Sequence, residues 1–199
     1  MRLHLTVAAL VSVASLLILP NGATGHAMAQ AERYQVDPMH SSVVFRVKHM
    51  NVANFYGRFN EISGTVEIDE DGSGRIEVTI NTDSLDTNSR DRDKHMKGEE
   101  FFDVAKYPEI KFRSNDIQKS GADTFVAKGE MTMHGQTRPL TATLKRTGAG
   151  ADPWGGFRAG YETKFTVKRT EFGMDGSLKA LGDEVDVIVS LECMREKQQ

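Results

Sequence analysis

The 199-residue chain has one cysteine, Cys193, one tryptophan, Trp154, and five prolines, and the scarcity of thiols already removes several classes of protein. A single cysteine makes no internal disulfide and no paired-thiol redox or zinc motif, so the fold must be held by its core. Charge of either sign is not in excess: 25 Lys and Arg stand against 28 Asp and Glu. That balance lacks the concentrated basic surface that nucleic-acid phosphates require. A Gly-rich phosphate loop, a dinucleotide fingerprint and a nucleophile elbow are all missing. So is a long apolar run, since Leu5–Leu19 falls short of the roughly 20 residues needed to span a bilayer.

That short run has its own reading. Arg2 precedes it, Pro20, Asn21 and Gly22 follow, and Ala27-Met28-Ala29 places small residues just before Gln30. This order predicts a secretory signal over residues 1–29, cleaved after Ala29. Residues 30–199 would then form a single exported domain, periplasmic or secreted, with no integral membrane segment after cleavage.

What the remainder does have is alternation. Val43, Phe45 and Val47 alternate with Val44, Arg46 and Lys48, which predicts a strand with one apolar face. Seven more stretches follow: Phe59–Ile68, Ile76 to Ile80, Glu109–Ser114, Phe125–Met133, Leu140 to Leu144, Phe157–Val167 and Val185 to Leu191. Between the third and fourth the period changes, and Asp86 or Thr87 can cap a short helix running to Met96 or Lys97. Phe101 and Phe102 beyond it are expected to cover one end of the core. The fold class is therefore all-β, an eight-stranded antiparallel barrel with a short helical excursion, since closure removes the exposed edges of an open sheet. A two-sheet sandwich is the rival arrangement. The small residues Ala127, Gly129, Ala142 and Ala159 on interior faces are expected to leave volume inside.

Candidates for chemistry are sparse. His40, His49, His95 and His134 have no metal-ligand spacing, and His40 and His134 read as turn residues bonded to backbone. Asp69, Asp71, Ser73 and Glu77 imitate a calcium loop, but Ile80 stands where its closing glutamate belongs. Asp37, His40, Ser41 and Ser42 are too close in sequence for triad geometry and read as the turn into the first strand. No catalytic and no metal-binding residue is assigned. His49, Arg58, Arg92, His95, Arg158 and Arg169 are candidates for contact with an anionic head group, because guanidinium offers paired donors to phosphate oxygens.

Tyr34, Val36, Asp37, His40, Ser41, Gly57, Arg58, Phe59, the run Ser84-Leu85-Asp86-Thr87, Arg92, Asp93, His95, Phe101-Phe102-Asp103, Tyr107-Pro108, Gly129, Met131, Thr132, Gly135, Thr137, Pro139, Arg169, Phe172 and Gly173 together resemble the YceI-like family. The similarity covers nearly all of Tyr34 to Glu192. It implies a lipocalin-like barrel, exported in bacteria, whose apolar interior takes a polyisoprenoid or related amphiphilic lipid. Phe45, Val47, Phe112, Met131, Phe165 and Val187 are the expected lining residues. No cofactor is implied beyond a bound isoprenoid lipid or quinone, and transient contact with a membrane is compatible with such a ligand. Two alternatives are an enzyme acting on an isoprenoid quinone or lipid, and an envelope-stress interaction protein without a lipid ligand.

Overall fold

The computed structural model describes residues 32–69 and 71–197. The predicted signal segment and its cleavage site lie outside the described residues. Within them the chain forms β1 (Arg33–Val36), β2 (Ser42–His49), β3 (Ala53–Phe59), β4 (Ile62–Ile68), β5 (Gly74–Asn81) and β6 (Leu85–Asp86), then the helix α1 (Arg90–Met96). The long strands β7 (Glu109–Gly121), β8 (Thr124–Met133), β9 (Gln136–Ala151), β10 (Phe157–Lys168) and β11 (Leu181–Arg195) complete it.

The strands close on themselves. Hydrogen-bonded neighbours run β1, β4, β5, β7, β8, β9, β10, β11 and back to β1, and every pairing is antiparallel. β2 takes over from β1 along β11, pairing from Leu181 to Ser190, while β1 pairs with Cys193 to Arg195. β3 and β4 likewise share one position, β3 on β2 and β4 on β1. The result is an eight-stranded antiparallel barrel in which two of the staves are broken, and α1 is the helical excursion between the third and fourth staves.

The inside is set by period-two alternation, because successive side chains of a strand point to opposite faces. Val43, Phe45 and Val47 are buried while Lys48 is exposed. Across the sheet, Phe165 pairs with Val187, Val187 with Phe45, and Phe45 with Gly57, so one interior layer is built by four strands. Glycine is required in it: a Cβ at Gly57 would sit 2.3 Å from Cζ of Phe45, whose ring occupies that space. These layers bury the apolar area that stabilises a chain without cross-links.

Four features differ from the sequence reading. β1 and β6 are too short, at four and two residues, to show a period. The stretch Phe59–Ile68 is not one strand: it is interrupted at Asn60–Glu61, where Ser84 captures the backbone N–H groups of both residues. Ser89, and not Asp86 or Thr87, stands at the N-cap position of the helix, and its side chain makes no capping hydrogen bond. The Asp86 carboxylate accepts the Asn88 N–H, and the Thr87 hydroxyl and N–H both donate to Asp93, so neither is available to the first turn. Finally, of the four small interior residues only Ala142 lines the cavity described below. Ala127 pairs with Ile117 and Ala142, Ala159 pairs with Cys193, and a Cβ at Gly129 would meet the Arg113 carbonyl at 2.1 Å. Small residues there let the wall close tightly instead of opening space.

Candidate functional site

The barrel interior holds a cavity of about 130 Å3. Its wall is apolar, and Phe45, Val47, Phe112, Met131, Phe165 and Val187 all lie on it. They come from β2, β7, β8, β10 and β11, so the alternation on five separate strands converges on one space. An apolar cavity of about 150 Å3 takes a guest the size of benzene and otherwise stays dry. The unoccupied space therefore matches a single branched five-carbon unit, and Met96, Met131, Met133 and Met174, whose unbranched side chains repack at low cost, line it as well.

One end is sealed. Tyr34, Val36, Tyr161 and Cys193 are buried beyond the cavity and form its floor. Burial pushes the thiol of Cys193 and the phenol of Tyr161 each up to about 12. A thiol so placed stays protonated and has no route to a second chain. The other end is covered by side chains from irregular segments. Met96, Phe101 and Phe102 come from α1 and the turns after it, and Met174 and Leu181 from the segment before and into β11. The Phe102 ring packs edge-on against Phe59 at 5.4 Å between centroids. Phe101 is buried, with the exposed His95 imidazole edge-on to it at 5.1 Å.

Of the six residues expected at a head group, the structure brings one to the cavity. Arg169 lines the wall and is only 5% exposed. Its Nε donates to the Gly182 carbonyl at 2.9 Å, Nη1 to those of Met174 and Gly176 at 2.8 and 2.7 Å, and Nη2 to that of Leu181 at 3.1 Å. Burial lowers its pKa from the usual value, and the guanidinium acts as a clip on the segment that covers the mouth. Arg92 donates to the hydroxyl and carbonyl of Thr87 and stacks over Phe55 at 4.6 Å. His95 meets Glu100 at 3.0 Å, outside the cavity. His49 and Arg58 are exposed on β2 and β3, and Arg58 lies on the outward face beside Val44.

Arg158 lies on the outer face beyond the sealed end. Its Nη1 donates to Asp37 Oδ2 at 2.7 Å and to Glu192 Oε1 at 2.6 Å, and its Nε to Asp152 at 3.2 Å. These three carboxylates raise its pKa. Asp37 also takes His40 Nδ1 at 2.8 Å, so the His40 ring bonds a carboxylate while its backbone N–H donates to the Asp37 carbonyl in the turn, and the Asp–His pair does form. Ser41 is not its third member, since its Oγ exchanges hydrogen bonds with the Glu192 backbone. Asp37, His40 and Glu192 present ligand-type atoms within 4.8 Å of one another, but the Arg158 guanidinium already occupies the position between the two carboxylates. His134 fits the sequence reading: Nδ1 donates to the Phe172 carbonyl at 3.0 Å.

Two residues of the wall are polar. Arg169 stands out in the sequence as a candidate head-group contact, and the structure gives its donors to four carbonyls of its own chain instead. Thr163 continues the interior face of β10, yet its Oγ1 is buried without a hydrogen-bond partner, alone in this among the described residues.

Comparison with known proteins agrees with this geometry. A YceI-like domain model matches residues 34–193. A UPF0312 protein of Yersinia enterocolitica is 38% identical over 173 residues, 85% of this chain and 90% of that one. The crystal structure of Burkholderia cenocepacia BcnA is similar with a TM-score of 0.72 at 23% identity, over 79% of this chain and 98% of that one. A polyisoprenoid binding domain from Saccharophagus degradans, implicated in plant cell wall breakdown, is similar with a TM-score of 0.62 at 15% identity, over 82% of this chain and 98% of that one. The two structures share the fold.

Proposed function

This chain belongs to the YceI-like family, and from that premise we propose that its barrel binds the apolar chain of a polyisoprenoid or related amphiphilic lipid, which it carries or sequesters without chemical conversion. The observation that carries the reading is the apolar cavity of about 130 Å3 inside the barrel, on whose wall eight strands place their interior residues. Each CH₂ removed from water there contributes about 0.8 kcal/mol before the cost of ordering the ligand. Chains longer than one branched unit are accommodated by rotation of the four lining methionines and displacement of Phe101 and Phe102 at the covered end. A non-enzymatic role is favoured because, of the histidines and arginines that would serve an enzyme on a lipid or quinone, His49 and His95 are not on the cavity wall, and Arg169, which is, has its donors on backbone carbonyls. We further propose that residues 1–29 direct export and are removed, so that the barrel works in the periplasm or beyond it, on a ligand of the envelope.

Ala142 gives a direct test, since it is the smallest side chain on the wall and is 4% exposed. Ala142→Phe fills the space from inside. Purified protein without the leader is expected to take up farnesol, and Ala142→Phe to bind it at least about tenfold more weakly while urea denaturation still shows a cooperatively folded barrel. Equal uptake by the filled variant would place the ligand elsewhere.

A further inference from the structure

Thr163 is out of keeping with the wall in which it sits. It lies on β10 between Val189 on one side and Leu144 on the other, and it lines the cavity together with both. The two layers nearer the mouth, Phe165 with Val187 and Val167 with Val185, are wholly apolar. Its Oγ1 is buried and has no hydrogen-bond partner. A buried hydroxyl without a partner is destabilising, and valine has the same shape without that penalty. In a cavity that takes hydrocarbon alone, threonine is the wrong residue at this depth. One rotamer step about χ1 carries the hydroxyl to the position of the methyl and the methyl to that of the Hβ, so the oxygen can be re-aimed by a side-chain rotation alone.

The charge of a matching group follows from the surroundings. Arg169 is the cation on the wall among the described residues, and it lies six positions along the chain from Thr163 with its donors on four carbonyls. A phosphate taken to the level of Thr163 would lose its hydration with no free counter-charge to replace it. A carbonyl or hydroxyl oxygen needs only the one hydrogen bond that Thr163 offers.

Resting on the reading that the cavity is the ligand site, we propose that Thr163 is a polar anchor inside it, and that it selects isoprenoids whose inserted end bears a neutral oxygen over pure hydrocarbons and over phosphates. The ligand thus enters with its oxygenated end first, and its remaining chain lies toward Phe101 and Phe102.

The test compares three probes with one ten-carbon skeleton: geraniol, the hydrocarbon myrcene and geranyl phosphate. Binding is read from the methyl NMR signals of Met131 and Met133, which report from the wall itself. Wild type is expected to bind geraniol more tightly than myrcene or geranyl phosphate. Thr163→Val should weaken geraniol by about three- to tenfold, the size of one neutral hydrogen bond, and leave myrcene unchanged, while Thr163→Ser keeps the preference for geraniol. If Thr163→Val binds geraniol as wild type does, or loses both probes equally, the anchor is refuted and the cavity reading stands. Geranyl phosphate binding as tightly as geraniol also refutes it. If no probe moves the methionine signals of wild type, the cavity reading itself falls.

Discussion

At the scale of single residues, Asp37 holds more of the outer surface together than its place in a turn suggests. The His40 ring, Arg158 and the Met39 N–H all bond its carboxylate and hold its pKa down to about 2, from an ordinary 3.8, against the opposing effect of burial. A carboxyl whose pKa is depressed by folding stabilises the folded state above its unfolded pKa and loses that contribution as pH falls through the folded one. Wild type is therefore expected to exceed Asp37→Asn in stability by roughly 1–2 kcal/mol at neutral pH. The gap should shrink as pH drops from 3.8 toward 2, as followed by urea denaturation across that range. A gap independent of pH would mean that Asp37 acts through shape and not charge. The sequence shows Asp37 and His40 three positions apart, but Arg158 and Glu192 reach them across 121 and 155 positions, and no local pattern announces that meeting.

The strands and the covering segments differ in how far they could be read. Val43, Phe45 and Val47, or Val185, Val187 and Val189, reveal a buried face because the period of a strand is local and needs no knowledge of its partner. Met174 and Leu181 lie where there is no period, and they reach the cavity wall because Arg169 draws four carbonyls of residues 174–182 around its guanidinium. Arg169→Met leaves those carbonyls without their donors, and the expected effect is a loss of roughly 2–4 kcal/mol. Lysine cannot replace the fork. Hydrogen exchange should rise first in residues 174–182, while β10 and the middle of β11 stay protected. Uniform acceleration over the whole barrel would show that Arg169 supports the global fold and not the mouth.

For the whole molecule, closure does two things at once. It pairs the strand edges that an open sheet would expose, and it leaves the interior as the one place where all eight staves contribute side chains. Eight alternating stretches sufficed to expect the barrel, yet not to say whether it is hollow, since Ala127, Gly129 and Ala159 tighten the wall where they were expected to open it. Hollowness comes from the register, which sets large side chains around a space that they do not fill. The most direct measurement is native mass spectrometry with lipid extraction on protein purified from the envelope of its own cells. The expected result is a stoichiometric isoprenoid amphiphile that bears a neutral oxygen, absent from Ala142→Phe prepared in the same way. Wild-type protein that is folded and carries no amphiphile, or the same amphiphile retained by the filled variant, would contradict the account.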